Sequence, residues 1–146
     1  MDISLQVTDI SHVIQLSVAP VFLLAGLGGL LSVLSIRLGR IVDRARYLDE
    51  RLRDADQPMQ ARIQTEHRDL SRRARLANRA ISLCTLCALL ICTVIVVMFV
   101  GAVLNLNIGV IIALLFICSM LALIAALIIF LKEIFIGTST LRIGQD

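Results

Sequence analysis

Residues 81–131 read ISLCTLCALLICTVIVVMFVGAVL-NLN-IGVIIALLFICSMLALIAALIIFL. Two uncharged runs of 24 residues, 81–104 and 108–131, flank a short polar turn at 105–107. As helix, at about 1.5 Å of rise per residue, each covers about 36 Å, enough for a bilayer core of about 30 Å. Together they read as a tight transmembrane hairpin. A third uncharged run, 13–36, carries Gln15, Pro20 and three glycines, and reads as a further span. The twelve residues ahead of it hold Asp2 and Asp9 but no Lys or Arg, so it is expected to be a retained helix and not a cleaved signal.

Composition agrees. Of 146 residues, 58% are hydrophobic and 17% charged, with a mean hydropathy of +0.92. A chain this short cannot hide three such runs in a soluble core, which excludes a soluble enzyme, a secreted disulfide scaffold and a disordered chain. All four cysteines, Cys84, Cys87, Cys92 and Cys118, lie in apolar runs and read as small hydrophobes. Cys84 and Cys87 spell CxxC without a second ligand pair, so no metal and no cofactor is expected.

Twelve of the fourteen basic residues fall between Arg37 and Arg79, and the other two, Lys132 and Arg142, follow the third span. The positive-inside rule then places the middle segment and the C-terminus in the cytoplasm, with the N-terminus and the 105–107 turn outside. The organisation expected is an external N-terminus (1–12), spans at 13–36, 81–104 and 108–131, a cytoplasmic segment at 37–80 and a cytoplasmic tail at 132–146.

Within 37–80, Leu38, Ile41, Val42, Ala45, Leu48 and Leu52 fall in one arc of about 120° on a helical wheel. Met59, Ile63, Leu70, Ala74, Ala77 and Ile81 fall within about 60° of one another. Pro58 fixes a boundary near 56–58. The expected fold is therefore an all-α membrane protein of three transmembrane helices. Helices 1 and 2 extend into a cytoplasmic antiparallel coiled-coil hairpin, with i, i+4 ion pairs Asp49–Arg53 and Asp69–Arg73.

Four sets of residues are candidates for function. Arg37, Arg40 and Arg44, with Arg72, Arg75 and Arg79 on the second helix, form either a face for anionic lipid headgroups, an anionic substrate or an acidic protein partner, or a plain topology anchor. Ala25, Gly28, Gly29, Ser32, Ser35 and Gly39 form a small-residue stripe suited to helix packing or to lining a pore. Gln15 and Pro20 mark an outer polar site, or simply an interfacial residue beside a tolerated proline. Asp43 is expected to pair with an arginine across the hairpin or between subunits. No phosphate loop, nucleophile elbow or zinc-protease motif is present, and no basic patch with aromatics points to nucleic acid.

The stretch ILE14 to Gly28, IQLSVAPVFLLAGLG, followed by RLGRIVDRAR at 37–46, resembles the bacterial membrane family catalogued as domain of unknown function 2721. The resemblance covers roughly residues 12–135, and the arginine-rich string is its most specific part. It implies a bacterial inner-membrane location and three spans, and transfers no catalytic residue. Span order is also similar to that of the Oxa1 insertase superfamily, a likeness of topology. Two readings follow: a non-enzymatic homo-oligomer acting as a channel-like or regulatory scaffold component, or an Oxa1-type insertase or chaperone module.

Overall fold

The computed structural model describes residues 2–52, 56–104 and 106–139, with side chains for those between 11 and 137. Three helices account for nearly all of them: α1, Asp2–Leu52; α2, Gln57–Leu104; and α3, Gly109–Ser139. Each is long and apolar enough to cross a membrane. Helix α1 begins at Asp2, so the residues ahead of the first apolar run are helical too, and α3 continues past the third run to Ser139. The proposed Asp49–Arg53 pair, Asn105 and the tail beyond Ser139 lie outside the described residues.

Local chemistry explains the breaks. The Asp56 carbonyl accepts hydrogen bonds from the amides of Met59 and Gln60, both at 2.9 Å, which starts α2. Pro58 then sits in the first turn, where a missing N–H costs no helical bond. At the other end of α2 the Leu106 amide donates to the Gly101 carbonyl at 3.0 Å. The Ile108 side chain occupies the space that a Cβ on Gly101 would need, so a residue without a side chain lets the turn fold over the helix end.

The chain divides into two compact units. One comprises Met1–Leu30 with Leu83–Ile124. Its buried positions are Ser17, Pro20 and Leu27 on α1, Cys84, Cys87, Ile91, Val94 and Gly101 on α2, and Ser119 on α3. Hydroxyls here bond back to their own helix: Ser17 Oγ donates to the Ile14 carbonyl at 2.8 Å and Ser119 Oγ to that of Phe116 at 2.7 Å. That satisfies each donor where lipid and apolar side chains offer none. Most other side chains of the apolar runs point away from the chain, including Phe22, Leu89, Val103 and Val110. A surface of that kind is stable against lipid and not against water, so the protein is a multi-pass membrane protein.

The other unit comprises Leu31–Ser82 with Ala125–Asp146. Here α1 buries Leu34, Ile41 and Leu48, α2 buries Ile63, Leu70, Ala77 and Ala80, and α3 buries Ala126 and Glu133. Ile41, Leu48, Ile63 and Leu70 form one cluster, with Ala45, Leu52 and Ala74 packed against it. Arg44 donates to Glu66 Oε1 from Nε at 3.0 Å and Nη2 at 2.8 Å, and His67 lies 3.2 Å from Asp49. These contacts pair α1 with α2 in antiparallel register. Both polar pairs are exposed and contribute about 0–1 kcal/mol each.

Burial along the helices steps by sevens: 20, 27, 34, 41 and 48 on α1; 63, 70, 77, 84 and 91 on α2; 119, 126 and 133 on α3. A seven-residue step runs at 3.5 residues per turn, whereas a straight helix turns every 3.6. Two expected core positions fall outside this seam. Val42 is 37% exposed and Met59 is 52% exposed. Val42 lies beside the seam that passes through Ile41 and Ala45, and the seam position next to Ile63 is held by Gln60 in place of Met59.

Ala80 is fully buried whereas Leu89 faces outward. Ala80→Leu is expected to cost about 1–3 kcal/mol by overpacking, and Leu89→Ala less than about 0.5 kcal/mol. Unfolding free energies in bicelles, measured by steric trapping, check this; equal costs would contradict the assigned seam.

Candidate functional site

Glu133 follows the apolar run of α3 by two residues and continues the buried row Ser119, Ala126. The seven-residue step therefore carries a carboxylate into the interior, where its exposure is 1%. Burying a bare carboxylate costs several kcal/mol unless it is paired and hydrogen-bonded. Two arginines do both. Arg37 of α1 donates from Nη1 to Oε2 at 2.7 Å. Arg73 of α2 donates to Oε1 from Nε at 3.2 Å and from Nη2 at 2.9 Å.

One residue from each helix thus meets at a single point. The guanidinium of Arg37 lies 5.3 Å from the centroid of the Phe130 ring, a cation–π contact one turn back along α3. Gly137, one turn further on, makes room for Arg73: a Cβ there would stand 2.7 Å from Arg73 Nη2. The arginine side chains keep 40% and 26% exposure, so each guanidinium is anchored on Glu133 while still reaching solvent.

The triad opens into a cavity of about 290 Å³. Arg37, Arg40, Arg44 and Arg73 line it around Glu133, with Ile41 and Leu70 as its aliphatic wall. A larger cavity of about 720 Å³ lies by Tyr47, whose ring has Arg51 at 4.9 Å and Arg44 at 5.6 Å. Its lining mixes Glu50, Asp56 and Glu66 with Arg51 and Arg62, so it lacks the excess of positive charge found around Glu133.

The structure brings together only part of each residue set singled out by sequence. Arg37, Arg40 and Arg44 share one cavity, whereas Arg72, Arg75 and Arg79 are exposed elsewhere on α2. Asp43 is exposed and forms no ion pair among the described residues; the carboxylate that bridges helices is Glu133. Arg73 reaches across to Glu133 and not along α2 to Asp69. Gln15 is exposed and Pro20 buried, so the two lie on different faces of α1 and form no shared site. Ala25, Gly28, Gly29, Ser32, Ser35 and Gly39 are all exposed, and a Cβ on any of the three glycines would meet nothing within 4 Å. Among the described residues, no three His, Cys, Asp or Glu side chains are grouped as a metal site would need.

Reading the sequence alone misses Glu133 and Arg73. The available signal was that Glu133 is the one acidic residue between Asp69 and Asp146, set directly after a span.

The family model described as "Protein of unknown function (DUF2721)" matches residues 17–143, which include every member of the triad. The chain belongs to that family. No curated protein and no solved structure matches this DUF2721 chain, so the expected similarity to Oxa1 insertases is not shown.

Removing the carboxylate leaves two cations facing each other beside apolar helices. Glu133→Gln is expected to cost about 2–4 kcal/mol, toward the lower end because both guanidinia reach solvent. Gly137→Ala crowds Arg73 at its carboxylate oxygen, which offsets the gain of about 1 kcal/mol in helix preference, so the substitution is expected to be near neutral in the native chain and stabilising in an Arg73→Gln background. A double-mutant cycle on unfolding free energies reads both; additive costs would refute the coupling.

Proposed function

We propose that this protein is a non-enzymatic assembly component of the bacterial inner membrane. Its N-terminus lies outside, its C-terminus lies in the cytoplasm, and α1 and α2 project there as a coiled-coil hairpin. The basic residues concentrated in 37–79 and after the third run support that orientation. The heptad step of buried residues from Ile41 to Leu70 supports the coiled coil.

The observation that carries the reading is the outward face of α1. Ala25, Gly28, Gly29, Ser32, Ser35 and Gly39 are exposed along one helix, and among the described residues nothing lies within 4 Å of where a Cβ would stand on the three glycines. Apolar residues gain nothing by leaving lipid for one another, so helix association in membranes depends on close backbone approach, which small residues permit. A stripe unused within the chain is available to a second copy. In that arrangement the protein is a homo-oligomer serving as a regulatory or channel-like scaffold, with Ser32 and Ser35 at the helix contact.

Gly28→Leu adds bulk to this exposed face at a position where a Cβ meets nothing within 4 Å among the described residues. Mass photometry of the intact protein in nanodiscs is expected to show an oligomer that Gly28→Leu weakens about tenfold, with the thermal stability of the protomer unchanged. A wild-type monomer across the accessible concentration range would overturn the reading.

A further inference from the structure

The cavity around Glu133 carries more positive charge than the triad requires. One buried carboxylate takes hydrogen bonds from Arg37 and Arg73, and Arg44 is paired with Glu66. Arg40 lines the same cavity and makes no ion pair among the described residues. Arg37 uses one terminal nitrogen on Glu133, which leaves donors on the other for a further acceptor.

We propose that this cavity binds a phosphoryl group, held by Arg40 and by the free donors of Arg37 and Arg73, with Glu133 fixing the two guanidinia in place. Arginine forks match the geometry of phosphate oxygens, and bonds between charged partners are the strong ones. The pre-ordered pair matters because immobilising a free arginine side chain otherwise opposes binding. A volume of about 290 Å³ accommodates a phosphate with a small substituent, and Ile41 and Leu70 give it an aliphatic wall.

Position selects the source. Arg37 directly follows the apolar run 13–36, and Glu133 lies two residues past the run 108–131. Both stand where helices leave the hydrocarbon core, at the depth of phospholipid phosphates, so the expected occupant is the phosphodiester of an anionic lipid. Glu133 is the acidic residue among those lining the cavity and is already paired with arginine, as is the Glu66 that holds Arg44.

The experiment uses the full chain in nonionic detergent and follows thermal unfolding while phosphatidylglycerol, phosphatidylcholine, inorganic phosphate or glycerol 3-phosphate is titrated. Phosphatidylglycerol is expected to stabilise the protein. Arg40→Gln is expected to weaken that effect about tenfold, Arg40→Lys to restore part of it, and Arg79→Gln, outside the cavity, to change it less than about twofold. Arg40→Gln removes no ion pair seen in the structure, so the fold is kept. An Arg40-dependent shift with soluble phosphate or glycerol 3-phosphate, and none with the lipid, would support the same site with a soluble source. Equal losses for Arg40→Gln and Arg79→Gln, or no stabilisation by any of the anions, would overturn the proposal.

Discussion

The carboxylate of Glu133 is the point on which the Arg37, Arg73 and Phe130 geometry depends. It accepts hydrogen bonds of 2.7 to 3.2 Å from a residue of each other helix. Aliphatic contacts in the same unit, such as those of Ile41 with Leu70, are non-directional and would tolerate sliding of one helix along another. A guanidinium fork on a buried carboxylate does not tolerate it, because a shift of one turn would leave a charge desolvated and unpaired. The triad therefore sets register, while the small and aliphatic seam residues supply most of the contact area.

Burial of a charged group also explains the residues around it. Phe130 and Gly137 flank Glu133 one turn to either side on α3, one giving a ring face to Arg37 and the other an empty place for Arg73. Neither choice follows from helix propensity, since glycine weakens a helix interior by about 1 kcal/mol relative to alanine. Their presence makes sense as accommodation of two guanidinia at one oxygen pair.

Much of this architecture is legible in the sequence because long uncharged runs have few alternatives: 81–104 and 108–131 can be little other than spans. The α2 start at Gln57 is legible because Pro58 restricts its neighbours. Side-chain placement is less so. Val42 stands at the edge of its apolar arc, and Met59 leaves the seam once the packed helices repeat at 3.5 residues per turn in place of 3.6. Glu133 escapes notice because α3 is apolar on every side, so no amphipathic pattern shows which of its faces turns inward. The small-residue spacing of α1 is plain in the sequence, but a spacing carries no information about the direction in which it points.

The triad also joins parts of the chain that are made at different times. Arg37 precedes Glu133 by 96 residues and Arg73 precedes it by 60. During synthesis both arginines are therefore made well before the carboxylate that neutralises them. Only a polypeptide translated through the end of its third apolar run can close the cluster. A product that stops before Glu133 keeps two cations beside hydrophobic helices without the carboxylate that pairs them in the folded protein.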